Sequence, residues 1–319
     1  MNNKILVTGA AGFIGYHLCE SLLNDDIIIY GVDNLNNYYD VNLKMERIKK
    51  LKRNKNFIFK KIDISNKEKL SKVFNEFKPE KVINLAAQAG VRYSIDNPYE
   101  YANSNLVGFI NIIELCRLNE IEGFIYASSS SVYGNNKSLP FSVLDRVDTP
   151  VSLYGATKRA NELIAYSYSS LYDLNTTGLR FFTVYGPWGR PDMAYFSFTD
   201  KIYKKETIEV FNKGEMYRDI TYIDDIISGI KSSINKNYKF EIFNLGNGKS
   251  EKLMDMISLI EDELKIKAKI KLKGMQPGDM INTFSDNSHS KKKLNFKPTI
   301  LMNEGLPLFI NWYKNSYIK

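Results

Sequence analysis

The sequence predicts an α/β protein: a doubly wound parallel sheet in the first half, with a smaller C-terminal domain folded against it. Three observations carry that prediction. Short apolar, β-branched runs (Ile5–Val7, Ile27–Val32, Phe57–Ile62, Lys81–Ala87 and Phe124–Ala127) alternate with stretches of helical period. Glycines at Gly9, Gly12 and Gly15 stand where the first run gives way to the first helix. Beyond Phe182 the alternation loosens into shorter segments rich in breakers.

The first turn is the most informative stretch. Ile5–Val7 reads as a strand from its β-branching and its turn-marked end, and Tyr16–Leu23 continues helically after Gly15. Strand, glycine turn and helix together aim free backbone N–H groups at a pyrophosphate. The helix dipole favours negative charge there, and the missing Cβ atoms allow close approach. Glycines also make ordinary tight turns, so the triplet alone says little. The second run, however, ends in Asp33, 18 residues after Gly15, where an acid hydrogen-bonds adenosine ribose hydroxyls. A dinucleotide is the expected ligand and the sheet is expected to be of the Rossmann type. Asp33 would repel the additional phosphate of NADP, which makes NAD the expected cofactor.

The remaining elements follow in order. A polar helical segment runs to Arg53, and the third strand ends at Asp63-Ile64, where an adenine edge could be read. A helix over Lys67–Phe77 leads to the fourth strand, whose end at Leu85, Ala86 and Ala87 is small enough for close cofactor approach. Asn97 to Leu118 reads as one long helix, with Leu106, Phe109, Ile110, Ile113 and Leu115 on its apolar face. Gly178–Phe182 is a further core strand. After the loop Gly186–Pro191 come a helix (Phe196–Lys204) and short strands near Ile208–Phe211 and Arg218–Tyr222. Asp224–Ile234 and Phe240–Leu245 return to the first domain, and helices over Leu253–Leu264 and Leu301–Tyr313 close the chain. The expected division is 1–181 with about 222–246 for the cofactor, and 182–221 with 247–319 for the substrate. The ligand should lie beyond the carboxyl ends of the strands.

Composition narrows the class. The chain has 319 residues, 44% apolar and 25% charged, ordinary for a globular protein. The net charge of +8 is nearly all lysine, spread over solvent-type segments such as Lys265–Lys273 without an aromatic-rich basic ribbon, so no nucleic-acid partner is expected. Nine arginines occur and none follows Arg218, which sharpens interest in each arginine inside a motif. No apolar run approaches ~18 residues, so no membrane span is expected. The first residues run directly into a strand, so no signal peptide is expected. Cys19 and Cys116 fall within helical patterns, which suits buried thiols in a reducing, cytoplasmic setting. No residues have metal-ligand spacing.

The fifth strand ends in Ser128-Ser-Ser-Ser-Val-Tyr-Gly134, a hydroxyl cluster at the rim where the cofactor should lie. Tyr154 and Lys158, at i and i+4 of the next helix, share a face. A free phenol titrates near ~10 and is a poor base at neutral pH. An ammonium one turn away, with a positive nicotinamide ring nearby, would favour the phenolate. Tyr154 is therefore the candidate general acid/base, and Lys158 could also hold the nicotinamide ribose. Tyr-x-x-x-Lys alone occurs on many helix surfaces; the nucleotide turn and serine-rich strand end give it weight.

These residues resemble the extended short-chain dehydrogenase/reductases across almost the whole chain: Gly9-x-x-Gly12-x-x-Gly15, Asp63, Tyr154-x-x-x-Lys158 and Arg218-Asp-x-x-Tyr222-x-Asp224-Asp225. Within that family the chain looks most like the nucleotide-sugar 4-epimerases, and nearest to the branch acting on UDP-glucuronate. Asp33–Asp40, Ala87-Gln-Ala-Gly-Val-Arg92 and Thr183–Met193 carry that likeness. The resemblance implies Ser129 as hydroxyl partner of Tyr154, with Ser130 and Ser131 beside the sugar. Arg218 and the turn Gln276–Asp279 would face the diphosphate. Relatives that dehydrate or decarboxylate sugars carry a carboxylate where Ser130 and Ser131 stand. Phe13, Ile14, Asn34, Asn36, Asn105 and Phe181 complete the expected cofactor set. Family analogy also implies a homodimer through the helices 97–118 and 153–172.

The reaction expected is NAD-dependent inversion at C4 of a UDP-sugar through a transient 4-keto intermediate. Arg92 and Arg190 favour a uronic acid, with Arg190 reading its carboxylate near Thr183. Neutral UDP-hexoses or UDP-N-acetylhexosamines are the alternative substrates. A catalytically silent NAD-binding scaffold is the alternative class.

Overall fold

The computed structural model describes residues 4–275 and 280–318. Its centre is a sheet of seven parallel strands: β1 (Lys4–Thr8), β2 (Ile28–Asp33), β3 (Phe57–Lys61), β4 (Lys81–Asn84), β5 (Gly123–Ser129), β6 (Thr176–Phe181) and β7 (Phe240–Leu245). The order is β7-β6-β5-β4-β1-β2-β3, so the direction of winding reverses between β1 and β4. Val7 pairs with Gly31 on one side and Ile83 on the other, which sets the register at the reversal. A crevice at such a point is where a doubly wound sheet receives its ligand.

Helices cover both faces: α1 (Phe13–Leu23), α2 (Val41–Leu51), α3 (Lys67–Phe77), α4 (Gly108–Leu118), α5 (Leu153–Tyr172) and α6 (Ile223–Ile234). The alternation of side chains along each strand divides the core in two. Val7, Ile83, Ile125 and Leu179 pack with α1 and α6 on one face. Leu6, Val82, Phe124 and Tyr126 pack with α3 and α4 on the other. Each of these strand residues is at most 2% exposed, which explains why the strands read as continuous apolar runs.

One expectation is refined and one corrected. The long helix over Asn97–Leu118 runs unbroken from Pro98, as an α-helical turn Pro98–Tyr101, a wider π-helical stretch Ala102–Val107, and α4. The extra residue per turn accompanies the inward placement of Asn105, which is 1% exposed and bonded to Gln88 and Thr157. The expected strand Arg218–Tyr222 is two short strands, Tyr217–Arg218 and Ile220–Tyr222, interrupted at Asp219. The buried carboxylate of Asp219 accepts from the backbone of Asn247, Gly248 and Ser285, pinning three chain segments at one point. Part of the Lys265–Lys273 segment is an exposed strand, Lys269–Leu272, paired with Thr207–Val210.

Candidate active site

The glycine turn is as tight as its sequence demands. Gly9 has φ +72°, and a Cβ there would lie 2.8 Å from the Ala86 nitrogen. A Cβ on Gly15 would lie 2.0 Å from the Gly9 carbonyl oxygen, so α1 can start only against glycine. Gly12 is the N-cap of α1 and brings no side-chain acceptor. The first-turn N–H groups of α1 therefore stay available to an anion, which is the condition a pyrophosphate requires. They open onto a cleft of about 930 Å³ that follows the carboxyl ends of the strands.

Gly9, Gly12, Phe13, Ile14 and Gly15 line this cleft, as do Asp33, Asn34 and Asn36 from the end of β2. Asp33 accepts from the N–H of Leu35 at 2.8 Å and of Ala11 at 3.2 Å. Burial pushes its carboxyl upward, opposed by the Leu35 N–H, Lys44, the Ala11 N–H and Arg47. Ile64, Leu85, Ala86, Ala87 and Phe181 complete the wall on this side. Two expected cofactor residues stand one layer back. Asp63 accepts from Asn34 Nδ2 at 2.8 Å and from Ser65, so it orients Asn34. Asn105 clasps both backbone groups of Gln88, at 2.8 and 3.0 Å, so it shapes the loop after β4.

The chemistry lies where β5 meets α5. Ser152 caps α5, its hydroxyl accepting from Gly155 N–H at 3.1 Å. One turn in, Lys158 is 3% exposed and donates through Nζ to the Ala127 carbonyl at 2.8 Å. Burial lowers its pKa to about 8. Burial raises the Tyr154 phenol, while a hydrogen bond with Ser129 and the charge of Arg190 lower it. Lys158 Nζ lies 6.0 Å from the Tyr154 ring centroid while one of its three N–H bonds donates to the Ala127 carbonyl, and Arg190 adds a second cation whose charge lowers the phenol. Ser129 Oγ donates to Ser131 Oγ at 3.2 Å and accepts from Ser131 N–H at 3.2 Å, linking the serines at the end of β5. Ser130 and Ser131 face the same cleft.

The opposite wall of the cleft is assembled from loops. Thr183 leaves β6 with its N–H on the Asp219 carbonyl, at 3.2 Å, and lines the cleft together with Arg190. Arg190 is paired with Asp192, whose Oδ2 also accepts from Tyr38 Oη at 3.1 Å. Arg92 lies with its guanidinium 4.9 Å from the centre of the Phe211 ring. Arg218 donates to the carbonyls of Tyr217 and Ile281, at 2.9 and 3.2 Å. Both arginines line the cleft. Asp279 and the turn Gln276–Asp279 lie outside the described residues.

Sequence reasoning missed Tyr38, Lys44, Arg47 and Asp192. Lys44 donates to the carbonyl and side-chain oxygens of Asn36, at 2.7 and 2.6 Å, beside Asp33. A signal for Arg47 was present: Leu43, Arg47 and Leu51 are spaced four apart on the buried stripe of α2. A charged residue on such a stripe needs partners.

Comparison with known proteins agrees with this geometry. The family model described as "NAD dependent epimerase/dehydratase family" matches residues 5–246. The chain is 47% identical to the protein CapI of Staphylococcus aureus, over 99% of this chain and 100% of that one. It is 44% identical to UDP-glucuronate 4-epimerase 4 of Arabidopsis thaliana, over 98% of this chain and 76% of the relative. Its structure is similar to that of the UDP-glucuronic acid 4-epimerase of Bacillus cereus, solved with UDP-glucuronic acid and NAD. The TM-score is 0.92 at 35% identity, covering 98% of this chain and 99% of the other.

Proposed function

Because the chain belongs to the NAD dependent epimerase/dehydratase family, we propose that it inverts C4 of UDP-glucuronate, giving UDP-galacturonate, with NAD as its cofactor. One observation carries this: Tyr154, Ser129 and Lys158 share a cleft with Arg190, a cation within electrostatic reach of the tyrosine. The similarity to UDP-glucuronate 4-epimerases supports the choice of sugar.

When bound, NAD would supply the hydride acceptor and donor for sugar C4. The uncapped first turn of α1 would hold its pyrophosphate, Asp33 the adenosine ribose and Lys158 the nicotinamide ribose. Tyr154 takes the 4-hydroxyl proton while Ser129 hydrogen-bonds the same oxygen. The 4-keto sugar then turns within the cleft, and Tyr154 returns the proton as the opposite face is reduced. A 4-ketouronate is a β-keto acid and loses CO₂ readily when its carboxylate bond aligns with the carbonyl π-system. Arg190 and Thr183 would grip the carboxylate out of that alignment. Ser130 and Ser131 contribute hydroxyls at the sugar. Arg92 would favour the acidic sugar with Arg190, and Arg218 and Asp279 would serve the UDP end.

Residues 1–181 with 222–246 would form the cofactor domain, and 182–221 with 247–319 the sugar-nucleotide domain. A homodimer through the helices 97–118 and 153–172 belongs to the same proposal. It is supported by exposed apolar side chains at Val107, Ile110, Leu118, Leu163, Tyr166 and Leu171. Among the described residues no helix is long and apolar enough to cross a membrane. Cytoplasmic residence is supported by Cys19 and Cys116, two buried thiols without disulfides.

A second reading, epimerisation of neutral UDP-hexoses or UDP-N-acetylhexosamines, is favoured by the pairing of Arg190 with Asp192, which partly neutralises the cation. Incubation with a panel of UDP-sugars, products resolved by chromatography, separates the two. Conversion of UDP-glucuronate well above that of UDP-glucose supports the proposal, and the reverse order supports the second reading.

A further inference from the structure

Arg47 is a buried cation, 0% exposed, on the inner side of α2. Its guanidinium reaches three separate stretches of chain. Nη1 donates to the Ala11 carbonyl at 2.8 Å and to Tyr39 Oη at 2.7 Å. Nη2 donates to the carbonyls of Trp188 at 2.5 Å and Gly189 at 3.0 Å. Ala11 lies inside the glycine turn, and its N–H is held in turn by Asp33. Gly189 immediately precedes Arg190.

The loop is fastened along its length. His17, from α1, meets the Pro187 carbonyl through Nε2 at 2.8 Å. Burial lowers His17 to about 4, so the neutral ring donates this bond at neutral pH. Trp188 sits in the left-handed region at φ +58°, and its ring packs on Tyr16 and Trp312. A Cβ on Gly189 would lie 1.8 Å from Tyr195 Oη. Residues 187–189 are thus tied to the first two helices of the cofactor half, while Arg190 points into the cleft.

A buried guanidinium is costly unless its donors are met; here four oxygens meet Nη1 and Nη2, while the buried Nε has no partner. Its planar fork spans two partners at fixed separation, which an ammonium cannot do. We propose that Arg47 is a positioning residue that ties the dinucleotide turn to the Arg190 loop, so that seating of the cofactor and aim of Arg190 are set together. This rests on the reading of Arg190 as the carboxylate-gripping residue.

The test is a double-mutant cycle on NAD-loaded protein, with binding of UDP-glucuronate and UDP-glucose measured by calorimetry. Arg47→Lys keeps the charge and loses the two-pronged span. It should weaken UDP-glucuronate about tenfold and UDP-glucose by less than about threefold, and add little once Arg190→Ala is present. Tyr39→Phe, which removes one acceptor of the same guanidinium, should shift affinity in the same direction by a smaller factor. It covers the case in which Arg47→Lys does not fold. Additive losses in the double variant would overturn the proposal. So would equal loss on both sugars from Arg47→Lys while Arg190→Ala remains selective for the acid. If Arg190→Ala itself fails to discriminate, the carboxylate reading falls, and the strut then stands or falls on non-additivity alone.

Discussion

Arg190 and Asp192 form a forked ion pair inside the cleft, Nε to Oδ1 at 3.1 Å and Nη2 to Oδ2 at 2.5 Å. The pair engages Nε and Nη2 of the guanidinium, with Tyr38 hydrogen-bonded to the same pair. Asp192 therefore aims the cation. Asp192→Asn keeps one acceptor and loses the charge, so kcat/KM for UDP-glucuronate should fall roughly three- to tenfold. Steady-state kinetics checks this. A rise in activity would mean that Asp192 competes with the sugar for the fork.

Removing Arg190 should have two separable effects. A hydrogen bond to a charged group contributes about 1.5–3 kcal/mol, so Arg190→Ala should lower kcat/KM for UDP-glucuronate roughly ten- to a hundredfold, and less for UDP-glucose. The cation also lowers the Tyr154 phenol against the upward push of burial. Without it the phenol titrates higher, so the rising limb of the pH–rate profile should move to higher pH. An unmoved limb would remove Arg190 from the electrostatics of Tyr154.

Tyr154→Phe deletes the proton-transfer group and leaves the helix and its cap intact. Turnover should fall about 10²–10⁴-fold, with NAD content unchanged in the purified protein. Near-normal epimerisation by this variant would exclude Tyr154 as the acid/base.

The fold was legible because parallel strands buried on both faces leave long apolar runs, and because a glycine turn followed by a distant acid has few other uses. That Asp33, Tyr154 and Lys158 line one cleft was legible for the same reason: their spacing is local. What depends on folding was not. Nothing in the sequence shows that Lys158 would donate to the Ala127 carbonyl, or that Asp192 would take the fork of Arg190, two residues away. The π-helical stretch around Asn105 was hidden because its apolar period continues that of α4. Arg47 was overlooked because its partners are mostly backbone carbonyls, which no residue pattern announces.

Asp33 is the proposed selector of the cofactor. Its carboxylate stands at the end of β2, 9% exposed, where it would repel a 2′-phosphate. Cofactor released by denaturing the purified protein should be NAD(H). Recovery of NADP(H) would contradict this role, and Lys44, beside Asp33, would become the candidate phosphate partner.

The central claim is that C4 is inverted by removing and returning the same hydride, and one isotope measurement addresses it. UDP-glucuronate carrying deuterium at C4 is incubated with the protein in ordinary water, and the products are resolved and analysed by mass spectrometry and NMR. The account predicts UDP-galacturonate with deuterium retained at C4 and little UDP-pentose. Deuterium lost to solvent, or no UDP-galacturonate while neutral UDP-hexoses are interconverted, would contradict it.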